Sequence, residues 1–393
     1  MGSDVSFRGF FAAIIAAVML AALPASAQAA VSSTPSATSP GFDNTVWAVA
    51  HWGNTVYVGG EFNQVTDWHG ATFVRHGAAA FDAVSGEVLP WDPNVDGPVY
   101  ALRPTSKGVY VGGAFGTVRG QTRHNLARVS LKGAGTLSAS FKRGTNGRVR
   151  TIDLGHGRIY LGGNFSKAVG KKRWNSAALS STAPYKLTSW APKTVNGGVD
   201  EVHSTKRGIY IAGRFRKVGN NSQRHRLTLV TKDKGKLVTG FKPFDLNYEV
   251  FDIVVRDNRI YAAEAGPGGH VFAMNATTGH TVWSHWTDGD SQAVELVGNT
   301  LYVGGHFNRI CSDRNSGRTG NCHQGTWLDR KRAAAIGINN GTMKGWNPSG
   351  NSVWGVRVLD YLPKSGTLAA GGHVTSWGGN PTPARLALFD ANS

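Results

Sequence analysis

One phrase, written seven times with variations, constrains this chain more than any other feature. It reads Val56-Tyr57-Val58-Gly59-Gly60-Glu61-Phe62, then Val109-Tyr110-Val111-Gly112-Gly113-Ala114-Phe115, and returns at 159–165, 209–215 and 301–307. Two degenerate copies, Ile260-Tyr261-Ala262-Ala263-Glu264 and Leu368-Ala369-Ala370-Gly371-Gly372-His373-Val374, complete the set. Most copies lie about 50 residues apart, and self-similarity at a period of this order means a solenoid, a propeller or an array. Inside each copy the apolar pattern alternates with the period of a strand. The Gly-Gly pair marks a close backbone approach or a bulge.

Each unit holds four strand candidates, in the first unit 46–51, 55–62, 78–82 and 88–92. Turn signals at Gly53-Asn54 and Ser85-Gly86 join them in pairs. Trp91-Asp92-Pro93, Trp190-Ala191-Pro192 and Trp346-Asn347-Pro348 repeat the ending. Four antiparallel strands repeated seven times predict an all-β, seven-bladed β-propeller over 41–393. The seventh unit stops after its third strand. Residues 42–44 resemble a fourth-strand ending and are expected to supply the missing outer strand, closing the ring and removing an open edge. Ahead of this, Arg8, an apolar run over 10–23 and Ala25-Ser26-Ala27-Gln28-Ala29 read as a secretory signal peptide, residues 1–29, cleaved after Ala27 or Ala29. Residues 30–40, rich in Ser, Thr and Pro, read as a linker. The chain is thus expected to be secreted, with no transmembrane segment in its mature form.

The formal net charge is +18, a property that speaks to partners and solubility rather than to fold. Roughly two-thirds of the lysines and arginines fall between Arg103 and Lys242. Such a flank suits an anionic polymer outside the cell: wall phosphate polymer, acidic polysaccharide or extracellular DNA. No compact nucleic-acid motif accompanies it. The two cysteines, Cys311 and Cys322, are expected to form a disulfide across a short polar loop, as exported proteins allow. A zinc site including the neighbouring His323 finds no matching ligand spacing.

Blade connectivity places loops before any coordinates do. The start of a first strand and the residue after Gly-Gly converge on one mouth of the central channel. Around the ring the latter position reads Glu61, Ala114, Asn164, Arg214, Ala265, His306 and His373. Glu61, His306 and His373 fall on three consecutive blades, a set that would suit a divalent metal or acid–base catalysis. The second residue of the first strand reads Trp47, Tyr100, Arg150, Asp200, Phe251, Gln292 and, on the seventh blade, Trp354. Trp47, Tyr100 and Trp354 suit sugar stacking or inter-blade packing. Glu201 and Asp252, at the third position, would hold a cation or pair with Arg150 or Lys206. Asp290, in an acidic turn, and Gln292 complete the candidate ligand site.

At these residues the sequence resembles the secreted β-propeller proteins of actinobacterial type that carry delta-60-like repeats. The matching segments are 46–49, 56–62, 79–86 and 91–93, and the resemblance covers 42–390. It implies an exported propeller and carries no catalytic residues over. The stretch Ala273-Met274-Asn275-Ala276-Thr277-Thr278-Gly279 to Trp283 also resembles the tryptophan-docking motif of quinoprotein dehydrogenase propellers, with Asn275 where Asp is usual. The adjacent cysteine pair that those enzymes place over the quinone has no counterpart here. The sequence therefore reads as a monomeric, non-enzymatic module binding an extracellular glycan or anionic polymer, with no cofactor other than a possible divalent metal. A polysaccharide lyase or hydrolase using Glu61, His306 and His373, and an envelope interaction scaffold, are the alternatives.

Overall fold

The computed structural model describes residues 31–221, 226–244, 246–314, 322, 325–380 and 384–391. The signal peptide expected over 1–29 and the residue His323 lie outside the described residues. Every named element is a strand, and no helix of the described residues is long and apolar enough to cross a membrane.

Seven main antiparallel sheets, the blades, follow one another along the described chain, with five small sheets of two- and three-residue strands beside them. Their inner strands are Val46–Trp52, Val99–Thr105, Val149–Gly155, Val199–Thr205, Val250–Arg256, Ser291–Val297 and Val356–Leu362. Each pairs with the strand bearing the repeated phrase, which pairs in turn with a third. The inner strands pack side by side in chain order, and the seventh lies against the first, so the ring is closed.

The repeated residues explain this packing. A Cβ added to Gly59 would stand 2.6 Å from Val99 Cγ1, on the next inner strand, and one on Gly371 would stand 2.6 Å from Val46 Cγ1, across the seam of the ring. The second glycine crosses its own inner strand, where a bulge lifts the backbone at Trp47: a Cβ on Gly60 would meet the Thr45 carbonyl oxygen at 2.2 Å. The repeated tyrosines are buried between blades and meet the aromatic residue of the outer segment edge-on. Tyr57–Trp91, Tyr160–Trp190 and Tyr302–Trp346 have centroids 5.0, 5.0 and 4.9 Å apart. Such pairs contribute about 0.5–1.5 kcal/mol each beyond area burial. Trp91 and Trp190 also donate to the carbonyls of Ser130 and Thr231 on the following blade, at 2.8 and 3.0 Å.

Three expectations change at the level of single elements. The fourth strand is complete only in the fifth sheet, as Thr281–Trp286. Elsewhere it shrinks to single bridges such as Phe81–Val88 and Leu179–Leu187. In four blades an arginine takes over the outer carbonyls that a ladder would use. Arg75 donates to Leu89, Arg123 to Ser138, Arg173 to Thr188 and Arg330 to Lys344.

Residues 42–44 do not supply the outer strand of blade seven. Phe42 pairs with Val65 of blade one, and Asp43 Oδ1 accepts the N–H groups of Asn63 and Gln64 at 2.9 and 3.1 Å. Asp96, Asn146, Asp288 and Asn351 make the same two-amide clamp in their own blades. Closure falls instead to the stretch read as a linker. Val31 is buried and bridges to Ala391. Ser32 N–H donates to the Asp390 carbonyl, Ser36 N–H to Leu388, and Trp346 Nε1 to the Ser32 carbonyl, at 2.7, 2.6 and 2.7 Å.

The disulfide is formed as expected, Cys311 to Cys322 with Cα atoms 5.5 Å apart.

Candidate functional site

A cavity of about 330 Å³ occupies the ring axis and takes wall residues from all seven inner strands. Because the bulge falls at the second position of each inner strand, one residue per blade turns toward its mouth. On blades one to six these are the residues expected from the sequence. On blade seven the residue is Arg357. Val356 pairs with Gly372 and the bulge falls between Val356 and Val358, so Trp354 stands ahead of the strand, 60% exposed on the rim. The signal was in the sequence: Val356-Arg357-Val358-Leu359 fits the same pattern as Val99-Tyr100-Ala101-Leu102 better than the segment starting at Val353.

The mouth is aromatic and cationic on one side. Trp47 meets Tyr100 and His373 edge-on, with centroids 5.8 and 5.6 Å apart. The Arg357 guanidinium lies over Trp47 at 5.2 Å, and that of Arg150 over Tyr100 at 5.7 Å. Opposite them, Arg150 pairs with Asp200 at 3.3 Å, while Arg214 pairs with Glu249 at 2.6 Å and reaches Asp200 at 3.7 Å. Burial, then the neighbouring Asp200 carboxylate, push Glu249 up to about 8 against the pull of Arg214.

The proposed triad is dispersed. His306 Nδ1 faces Asp290 Oδ2 at 3.4 Å. Against the cost of burial, His306 and the Gly266 N–H hold Asp290 below the usual carboxylate range. His373 Nε2 is hydrogen-bonded to Thr45 Oγ1 at 2.9 Å. Its pKa falls to about 4 through burial and the charges of Arg357 and Arg385, so it is neutral at pH 7. Among the described residues no three His, Cys, Asp or Glu side chains gather as a metal site. His306 and His373 are thus each engaged by a neighbour of their own, Asp290 and Thr45. Gln292 lines the mouth as expected, and Asp290 sits on its rim.

Deeper in the channel the acidic residues staple blades together. Asp252 Oδ2 accepts the Val294 N–H at 2.9 Å, Asp153 Oδ2 the Ser204 N–H at 2.7 Å, and Glu201 Oε2 the Thr151 hydroxyl at 2.9 Å. Neither Glu201 nor Asp252 pairs with Arg150 or Lys206. Part of their surface faces the lumen, yet protein encloses them on every side, and this desolvation pushes Asp252 up to about 7 and Glu295 up to about 8.

No protein-family model and no curated protein match this chain. Among solved structures it is similar to the WD40 β-propeller domain of Doa1, at 12% identity over 92% of this chain and 97% of that one, with a TM-score of 0.60. It is also similar to the computationally designed Ika8 protein, at 11% identity over 90% of this chain and 98% of that one, with a TM-score of 0.53. The chain has the β-propeller fold. Identity at this level shows the fold alone.

The charge of this propeller is concentrated in one sector. Residues 142–242, in essence blades three and four, hold 22 of the 42 lysines and arginines and 4 of the 24 acidic residues. The rest of the chain carries 20 of each, so the whole net charge of +18 belongs to this sector. Of the four acids, Asp200 and Glu201 line the channel and Asp153 is mostly covered beside Arg103, which leaves Asp233 as the one exposed acid. All 12 lysines of the sector are exposed. None forms an ion pair: the nine pairs among the described residues use arginine or histidine. Lys172 and Lys193 lie over the Trp174 ring at 5.2 and 5.3 Å. Lys193 and Lys236 line an adjoining groove of about 670 Å³.

Proposed function

We propose that this chain is a secreted, non-enzymatic binding module that holds an anionic polymer of the cell surface or matrix, an acidic glycan foremost, against blades three and four. The observation that carries this reading is the sector of 12 exposed lysines with no ion-pair partners and one exposed acid. Lysine ammonium groups act as mobile point charges. An unpaired row of them suits a flexible polyanion, whose counterions are released on binding. Trp174 between Lys172 and Lys193 adds a face for a sugar ring. Export is supported by the amino-terminal sequence, by the resemblance to secreted propellers with delta-60-like repeats, and by a disulfide of the kind oxidising compartments permit. Removal of residues 1–29 would leave a monomeric single-propeller chain.

The dispersal of Glu61, His306 and His373 gives the lyase or hydrolase alternative no catalytic constellation, and no observation favours the scaffold alternative specifically. Capture on purified cell wall and on an acidic polysaccharide tests the proposal. Binding should weaken steeply between 50 and 200 mM salt, by roughly tenfold or more for several contacts. It should be lost in Lys172→Glu/Lys193→Glu/Lys236→Glu, three exposed positions whose change leaves the core intact. Capture indifferent to salt and to the triple reversal would overturn it.

A further inference from the structure

The channel mouth contains a cation that the rest of the fold leaves unanswered. Of the two arginines in the ring of bulge residues, Arg150 is paired with Asp200, whereas Arg357 takes part in no ion pair among the described residues. Its guanidinium is largely enclosed and lies against the Trp47 ring. An arginine stays protonated even when desolvated, and an enclosed charge without a partner is costly. Asp290 on the rim is the nearest opposing charge acting on Arg357, and that carboxylate already faces His306 at 3.4 Å.

One amide ties this cation to an exposed aromatic shelf. In the orientation that satisfies both ends, the Gln292 side-chain nitrogen donates to the carbonyls of Trp354 and Val356 at 3.0 and 3.1 Å. Its oxygen accepts from the Arg357 guanidinium at 3.2 Å. Ser352 Oγ accepts the Trp354 and Gly355 N–H groups, both at 3.1 Å, and so fixes the rim loop. The Trp354 ring, 60% exposed, lies 6.3 Å between centroids from His373, which in turn meets Trp47 edge-on at 5.6 Å. Trp47 adds a buried indole N–H that has no acceptor.

We infer that the mouth is a receptor for one carboxylate-bearing sugar ring, a hexuronate, with Arg357 taking the carboxylate and Trp354 a face of the ring. A planar guanidinium that forms no ion pair among the described residues matches a carboxylate bidentately. The wall below presents the carboxyl groups of Glu201 and Asp252. It leaves hydroxyl donors as the groups that can face it. At about 330 Å³ the cavity lies at the small end of ligand sites and fits one ring, not an oligomer. The inference rests on the acidic-glycan reading above for its ligand class, but on different residues.

Titration of the intact propeller with D-glucuronate and with oligogalacturonate, followed by tryptophan fluorescence and calorimetry, tests it. Uptake of the free acid identifies a monosaccharide receptor. Uptake of the oligomer alone identifies a receptor for the chain end, and either source supports the site. Both Arg357→Gln and Trp354→Ala should weaken binding at least about tenfold, the scale of one charge-assisted contact. Glucose should bind at least as much more weakly than glucuronate. The lysine triple reversal should leave glucuronate binding within about twofold, because those side chains lie outside the mouth. Trp354 is exposed, so its variant retains the fold even if Arg357→Gln does not. Unchanged affinity in Trp354→Ala, equal binding of glucose or phosphate, or no uptake of either acid at millimolar concentration would overturn the inference. Polymer capture that survives Arg357→Gln but not the lysine reversal would leave the basic-sector proposal standing while the mouth is judged separately.

Discussion

At the scale of single residues, lysine and arginine do different work in this chain although both add to the same charge. Arg75, Arg123, Arg173 and Arg330 bond outer-segment carbonyls, and their planar forks make them parts of the fold. The lysines form no ion pair among the described residues. A sequence count of basic residues sees one flank where the structure separates scaffold from surface. The glycine pair is as specific. Gly59→Ala would bring a methyl to 2.6 Å from Val99 Cγ1, and overpacking of this kind destabilises by about 1–3 kcal/mol. Urea unfolding should show that loss, and Gly59→Ala/Val99→Ala should recover most of it. An additive double mutant would mean that the clash is relieved elsewhere.

At the scale of elements, the outer edge of blade seven is covered by residues 31–39, while 42–44 pair with blade one and add one backbone bond, Phe42 N–H to the Ala384 carbonyl at 3.0 Å. The Ser/Thr/Pro composition of that stretch looks like a linker because its bonds to blade seven are mostly made by backbone and hydroxyl groups, which leave no apolar pattern. Val31 and the serines at 32, 36 and 39 carry the contact. Removing residues 31–39 should cost about 3 kcal/mol or more, from one buried valine and several backbone bonds, and should lower the melting temperature. A truncated chain that melts with the intact one would sink this assignment of the seam. Small hairpins such as Gln64–Thr66 with Thr72–Val74 and Arg309–Cys311 with Trp327–Asp329 were also invisible in advance, because two to three residues per strand are too few for a periodic signal.

Over the whole molecule, the channel makes stability depend on pH. Asp252, at about 7, and Glu249 and Glu295, both at about 8, have folded pKa values raised above their ordinary range, chiefly by burial. Their contribution is fully present at pH values below ordinary carboxylate titration and is lost as pH rises through about 7 to 8. His373, lowered to about 4, acts the other way, but only between its folded value and the ordinary histidine range near 6.5. The melting temperature should therefore fall from pH 6.5 to pH 8.5. Asp252→Asn/Glu295→Gln should flatten that slope. A wild-type curve that is level or rising over this interval would contradict the assignment of these carboxylates.

The sequence alone determined the repeat, the strand period, the count of units and the disulfide. Each of these is written in local spacing: tyrosine every 50 or so residues, glycine where a neighbouring strand must approach, two cysteines and no others. It also placed Trp47, Tyr100 and Gln292 at the mouth, because strand connectivity fixes which ends converge. Only the tertiary structure decided the rest. Whether Glu61, His306 and His373 share a ligand depends on distances across blades, and Asp290 and Thr45 engage the two histidines. Arg357 in place of Trp354 is an exception: the pattern Val356-Arg357-Val358-Leu359 already carried it, and the pairing of Val356 with Gly372 made it plain. Which cations stay free could be seen only once every carboxylate and carbonyl had taken its partner.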